Sequence, residues 1–360
     1  MKNTGIKGMN KNVKSNLITV GIILIFYVVC QLLIQTDNMS NLMQGLLVNL
    51  CYYSILAISL NLTVGILGEL SLGHAGFMCV GAFAGAFFSQ CTIDTIPNTF
   101  IRFSLALIIG AVSAALFGIL IGSAVLRLRG DYLAIVTLAF GEIIKNVINV
   151  VYIGVDNKGF HFSMKDAVSL NLQENGRVIL KGAQGIADTP NNTTFTLSII
   201  LLIAIFLIIA NLIHSRSGRA IMAIRDNRIA AESVGINITK FKLIAFSLSA
   251  AMAGVAGVLY AHNISTLMAT PSNFGYNQSI MILVFVVLGG IGNIRGSIIA
   301  AVVLTLLPEY LRFLQDYRML IYAIVLIVMM IFNWNPACIE WRKKHPIKNL
   351  LTRFLKKKEA

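Results

Sequence analysis

Charge is what this sequence has least of. Asp, Glu, Lys and Arg make up only 12% of its 360 residues, about half the share of an ordinary soluble domain. Apolar types account for 57%, and the mean hydropathy is +0.79, which excludes an ordinary soluble enzyme. Acids are scarcer than bases, 15 against 29, leaving a net charge of +14. The bases sit at the ends of apolar runs, without interleaved aromatics on a continuous polar face. They therefore speak for membrane orientation and lipid headgroups, not for nucleic acid. The five cysteines, Cys30, Cys51, Cys79, Cys91 and Cys338, are scattered without a CxxC pair and suggest neither a disulfide framework nor a metal site. His74 has no second His or Cys at ligand spacing. No Gly-Lys dipeptide occurs anywhere, so Leu288 to Ala301, LGGIGNIRGSIIAA, is no Walker phosphate loop. The chain is not expected to hydrolyse ATP by itself or to hold a cofactor.

What is present is a series of long apolar runs. With roughly 20 apolar residues per crossing, spans fall near 17–34, 45–67, 75–90, 103–126, 131–153, 195–213, 243–261, 279–291, 297–313 and 319–334. The first follows Lys2, Lys7, Lys11 and Lys14. It is longer than a signal-peptide core and lacks a small-residue cleavage site after it, so it reads as a retained span. The expected class is an all-α polytopic membrane protein with about ten transmembrane helices, some short or broken, such as those from Ala75 to Ser89 and from Ile280 to Ile291. Basic residues predict both termini on the cytoplasmic side. That side receives the N-terminus 1–16, Arg127 and Arg129, the loop 214–242, Arg295 and the tail 335–360. The transmembrane domain spans 17–334. An external loop, 154–194, is polar, punctuated by glycines and too short to be an independent domain. The basic tail is expected to lie on anionic lipid.

Four segments carry candidate chemistry. The first, Ser215 to Lys242, holds six bases against Asp226 and Glu232. Its stretch Ala220 to Ser233 contains no Pro or Gly and shows helical spacing before Gly235, which predicts one short amphipathic helix with a glycine cap. A plain solvated loop is the alternative. In the second, Gly65 to Gly81, glycines break an apolar run and expose Glu69, Ser71 and His74. That makes it either a wall of a translocation path or an interfacial turn. In the third, Glu142, Lys145, Asn146 and Asn149 fall at i, i+3, i+4 and i+7, one polar stripe on an otherwise apolar helix. Such a stripe avoids lipid and is a path candidate, a buried packing pair or a proton relay. In the fourth, Gly289, Gly290, Gly292 and Gly296 read as helix-packing glycines, with Gly292, Gly296 and Ala300 at four-residue spacing on one face.

Together GELSLGHAGFMCVGAFAGA, RLRGDYLAIVTLAFGEIIKNVIN, AIRDNRIAAESVGINITKFKLIAFSLSAAMAGVAGVLYA and LGGIGNIRGSIIAA resemble the permease subunits of ABC importers for branched-chain amino acids, in particular the longer of the two paired permeases. The resemblance covers about Val64 to Leu307 in separate blocks. It implies a multi-pass protein of the bacterial inner membrane, with Arg225 to Gly235 as the coupling loop. There Ala230, Ala231 and Gly235 match the motif's small residues, while Glu232 stands one or two places from the usual acid. Arg225 and Asp226 open the block. The implied partners are a second homologous permease, two cytoplasmic ATPase subunits that carry ATP and Mg, an external solute-binding protein and membrane lipid. Urea, short amides and other amino acids stay open as substrates. An ion-coupled carrier using Glu142 and Lys145 and a non-transporting scaffold stay open as classes.

Overall fold

The structure is a computed structural model that describes residues 11–36, 39–128, 130–156, 159–173, 176–312 and 317–334. Most of the basic N-terminus (1–10), Arg129 and the basic tail 335–360 lie outside the described residues. The chain divides after Val302 into two units.

In the first unit, α1 (Lys11–Gln35) is followed by α2 (Asn41–Asn61), which runs into a π-helical turn, Leu62–Leu67. Next come α3 (His74–Cys91), α4 (Thr99–Val125) and α5 (Asp131–Val150). The strands β1 (Tyr152–Asp156), β2 (Gly159–Ser163), β3 (Arg177–Lys181) and β4 (Ile186–Ala187) follow. The chain continues as α6 (Phe195–His214), α7 (Arg216–Asp226), α8 (Arg228–Ser233), α9 (Ile238–Ala261) and β5 (Thr266–Leu267). The last elements are α10 (Pro271–Phe274), α11 (Tyr276–Gly289) and α12 (Ile294–Tyr310), which crosses the unit boundary. The second unit holds the end of α12, with Pro308 inside it, and α13 (Arg318–Trp334).

Seven helical stretches are long and apolar enough to cross a membrane: Asn16–Gln35, Met43–Leu67, Thr99–Val125, Asp131–Val150, Phe195–His214, Ile238–Ala261 and Pro271–Gly289. The chain is thus a mostly helical, polytopic membrane protein. Helices also occupy the remaining apolar stretches, but α3, at 18 residues, and α12 and α13, at 17 each, stay outside that set. The centre of the first unit is α2. The span it forms with the π turn is 94% buried, as expected of a helix apolar on all sides. It packs on α9, which in turn crosses α3 and α4 with their backbones in contact. A Cβ on Gly81 would lie 2.3 Å from Gly254 Cα, and one on Gly257 would lie 2.1 Å from the Met78 carbonyl. Small residues permit this approach, and close packing drives association where lipid gives no hydrophobic force.

The expectation of an all-α chain is corrected in the segment 154–194 and in the connection after α9. There β2, β1 and β3 form an antiparallel sheet in that order, with Gly154 opposite His161, and β4 pairs with β5 through Ile186 and Leu267. The runs YIGVD, GFHFS and RVILK are each only five residues long. They are rich in β-branched and aromatic side chains, and pairing satisfies their backbone where no helix continues. The β4–β5 pair ties the 154–194 segment to the connection after α9.

Candidate functional site

The segment expected to be one amphipathic helix is two. α7 starts at Ser215, whose hydroxyl accepts from the Gly218 N–H at 3.1 Å. It stops at Asn227, whose backbone is extended (φ −155°, ψ 106°) and whose side chain accepts from Ala230 N–H at 3.1 Å. The helical period runs through Asn227 unbroken, but an Asn competes for backbone donors and is worth more as a cap than inside a helix. α8 ends at Ser233, where Gly235 (φ +83°) lets the Ile236 N–H reach the Ala231 carbonyl at 3.1 Å. This is the glycine-capped end expected from the sequence.

The pair has two faces. Ile224, Ala231 and Ile238 form a buried cluster with Ala223, Ile236 and Phe241 packed against it. Arg225, Asp226, Ala230, Glu232 and Gly235 are exposed. So are Ile229 (80%) and Val234 (74%), two apolar side chains in an otherwise polar surface. Of the six loop residues named from sequence, only Ala231 is inside.

The loop is anchored at both ends to one short stretch, Gly65 to Glu69. Arg225 Nη1 donates to the Gly65 carbonyl at 2.9 Å, while its Nε and Nη2 donate to Asp226 Oδ1 at 3.1 and 2.9 Å. The Arg225 stem lies against Gly68, whose φ of +81° turns the chain out of the π-helical turn. Beyond α8, Lys242 of α9 forms an ion pair with Glu69, their side chains 5% and 15% exposed. Gly65 in turn touches the connection between α11 and α12, because a Cβ there would lie 2.3 Å from Gly292 N. Asn61 fastens this contact: its Oδ1 accepts from Gly292 N–H and its Nδ2 donates to Ser297 Oγ, both at 2.8 Å. Glu69, Arg225 and Gly292, assigned from sequence to a path wall, a coupling loop and a packing face, thus meet at one junction.

The other path candidates are placed differently from one another. His74 and Ser71 are buried, not exposed. His74 Nε2 stands 2.7 Å from Ser59 Oγ, and among the described residues the Ser71 hydroxyl has no hydrogen-bond partner. Their turn is pulled inward because Leu72 N–H and Ala75 N–H donate to Thr137 Oγ1 and Ser279 Oγ at 3.0 and 3.1 Å. On α5, Lys145 and Glu142 pair, and the second Glu142 oxygen accepts the Tyr276 N–H at 2.7 Å, capping the start of α11. Asn149 Nδ2 donates to the Ala269 carbonyl at 3.0 Å. These three hold the chain between α9 and α11, whereas Asn146 is exposed. The four glycines do not share one helix face either. Gly289 closes α11, Gly290 and Gly292 have φ of +95° and +82° in the turn, and Gly296 meets Gly289 from the first turn of α12. The spacing of Gly292 and Gly296 spans a turn, so the four-residue packing rule does not apply across it. Among the described residues no group of three or more His, Cys, Asp or Glu could hold a metal ion.

Sequence reading passed over Lys242 as one loop charge among several, counted Ile229 only in the helical spacing, and left Val234 and Asn61 without a role. An isolated Asn inside an apolar run was the one available signal for the last.

A family model described as the permease component of branched-chain amino acid transport systems matches residues 42–330. The high-affinity branched-chain amino acid transport system permease protein LivM of Salmonella typhimurium is 35% identical over 295 residues, 79% of this chain and 66% of that protein. The protein of the same name from Escherichia coli matches equally over the same shares. The ribose import permease protein RbsC of Escherichia coli is 25% identical over 307 residues, 82% of this chain and 85% of its own. The chain therefore spans 66% of the length of the first two relatives. No solved structure matches.

Proposed function

Because the chain belongs to the family of branched-chain amino acid transport permeases, we propose that it is the membrane-spanning subunit of an ABC importer that admits leucine, isoleucine and valine. In this reading it pairs with a second, homologous permease and two cytoplasmic ATPase subunits, which carry ATP and Mg. A solute-binding protein delivers substrate to the face built from β1 to β5. Both termini and the 214–242 loop lie in the cytoplasm, the arrangement that puts most bases inside.

The observation that carries the reading is the double anchorage of α7–α8. Arg225 and Lys242 flank α8, and both grip Gly65 to Glu69, the end of the most buried span in the unit. Ile229 and Val234 stay exposed as a small apolar docking surface. A partner that moves this pair as a rigid body also moves the end of α2, because a packed element shifts as a unit instead of deforming. The Glu142–Lys145 pair is fully engaged in holding Tyr276, so ion coupling through it gains no support. An apolar interior suits branched aliphatic side chains, with most selection left to the binding protein.

The reading is tested by uptake of radiolabelled leucine into proteoliposomes carrying the complete system. Uptake that needs ATP and is competed by isoleucine and valine supports it. Uptake competed by ribose or urea and not by valine refutes the substrate, and uptake that persists without any ATPase subunit refutes the class.

A further inference from the structure

A second feature adjoins the junction. A cavity of about 220 Å³ opens between the start of α1, the end of α6 and the α11–α12 turn. Its lining is of two kinds. Phe206, Ala210 and Ile294 give a buried apolar floor, and Asn16, His214 and Arg295 give a polar, partly cationic rim. Arg295 Nη2 reaches Asn16 Oδ1 at 3.4 Å, a long contact that leaves the guanidinium most of its five donors. Among the described residues no carboxylate pairs with Arg295 or His214. A second guanidinium stands close by, since Arg219 Nη1 donates to the His214 carbonyl at 2.9 Å.

Position decides the ligand class. His214 is the last residue of a membrane-spanning stretch and the polar loop starts at Ser215, so the rim sits where hydrocarbon gives way to headgroups. A free inorganic anion has no use for the apolar floor, and an apolar solute has none for the arginines. We propose that this cavity holds an anionic phospholipid of the leaflet on the coupling-loop side, its phosphate on Arg295 and His214 and its acyl chain along Phe206 and Ala210. Guanidinium binds phosphate through a bidentate fork, and basic pockets between membrane helices take acidic headgroups. An acidic headgroup also answers the local surplus of cations, which a zwitterionic one does not.

The site also has a consequence for the junction. Gly292 lies on the cavity wall and is the residue that Asn61 holds against Gly65. A lipid seated there braces the turn on which the Arg225 anchor rests, so leaflet composition sets how firmly the coupling loop is held.

The test uses the full chain purified in a mild detergent, with phosphatidylglycerol, phosphatidylcholine and inorganic phosphate as probes. Native mass spectrometry and thermal unfolding are the readouts. Phosphatidylglycerol is expected to remain bound after delipidation and to raise Tm above the value in phosphatidylcholine, as a ligand of the folded state must. An Arg295→Gln, His214→Gln variant is expected to retain it roughly tenfold less well, the loss of about one charge-assisted hydrogen bond. Arg295→Lys, which keeps the charge, is expected to retain it in part. Should the double variant fail to fold, wild type and Arg295→Lys across the three probes carry the test. Equal retention of the two lipids by wild type overturns the proposal, as does equal retention of phosphatidylglycerol by wild type and double variant. Inorganic phosphate that raises Tm as far as phosphatidylglycerol assigns the cavity to a free anion and overturns it too.

Discussion

Glu69 and Lys242 are each buried beyond what a lone charge tolerates, and neither is stable there without the other. Removing one partner of a buried pair strands the second charge and costs about 3–5 kcal/mol, whereas replacing both with apolar groups of similar size is often neutral. Lys242→Met and Glu69→Leu are therefore expected to lower Tm strongly when made singly. The Glu69→Leu, Lys242→Met double variant is expected to recover most of the loss, and thermal unfolding of the four proteins measures this. Additive losses would show that the pair is not coupled. Gly65 is sensitive for a different reason. A methyl group at that position meets Asn61 Oδ1 at 2.0 Å and Gly292 N at 2.3 Å, both fixed by hydrogen bonds. Gly65→Ala is expected to destabilise by about 1–3 kcal/mol through overpacking, whereas Gly45→Ala, with nothing within 4 Å, is expected to be close to neutral in the same measurement.

At the scale of elements, the break at Asn227 creates two helices where periodicity predicts one. A cap of this kind is worth about 1 kcal/mol. Asn227→Ala is accordingly expected to speed hydrogen exchange at the Ala230 amide, and Asn227→Asp is expected to preserve its protection. Protection unchanged in Asn227→Ala would mean that packing alone holds α8. The exposed face separates stability from function. Ile229→Glu changes a side chain that is 80% exposed, so it should leave Tm unchanged while abolishing co-purification of the ATPase subunits. The apolar spacing picked out Ile221 and Ile224, which are buried, and Ile229, which is not, and Gly235 marked where the helices end. The break was not, because helix periodicity carries no record of a side chain that prefers to cap. The strands between α5 and α6 escaped notice for a related reason: runs of only five residues look like loop until a partner strand is present to pair with them.

For the whole molecule, the apolar runs were legible because bilayer thickness imposes a length on each one, and each run contains a helix. The junction was not legible. Arg225 and Gly65 lie 160 positions apart and Glu69 and Lys242 lie 173 apart, and no periodicity links residues that only the packing of α2, α9 and the α11–α12 turn brings together. From sequence Glu69 was open to a path wall or an interfacial turn, and neither reading pointed to its ion pair with Lys242. The first unit has a buried span, strands before α6 and an anchored helix pair after it. Gly65 to Glu69 tie that pair to the end of α2. The most direct measurement is leucine uptake by the complete system with a Glu232→Lys, Val234→Arg variant, both positions being exposed and Val234 having an ordinary negative φ of −92°. The account predicts that this variant inserts normally, loses the ATPase subunits on purification and takes up no leucine above background. Uptake equal to wild type would contradict it.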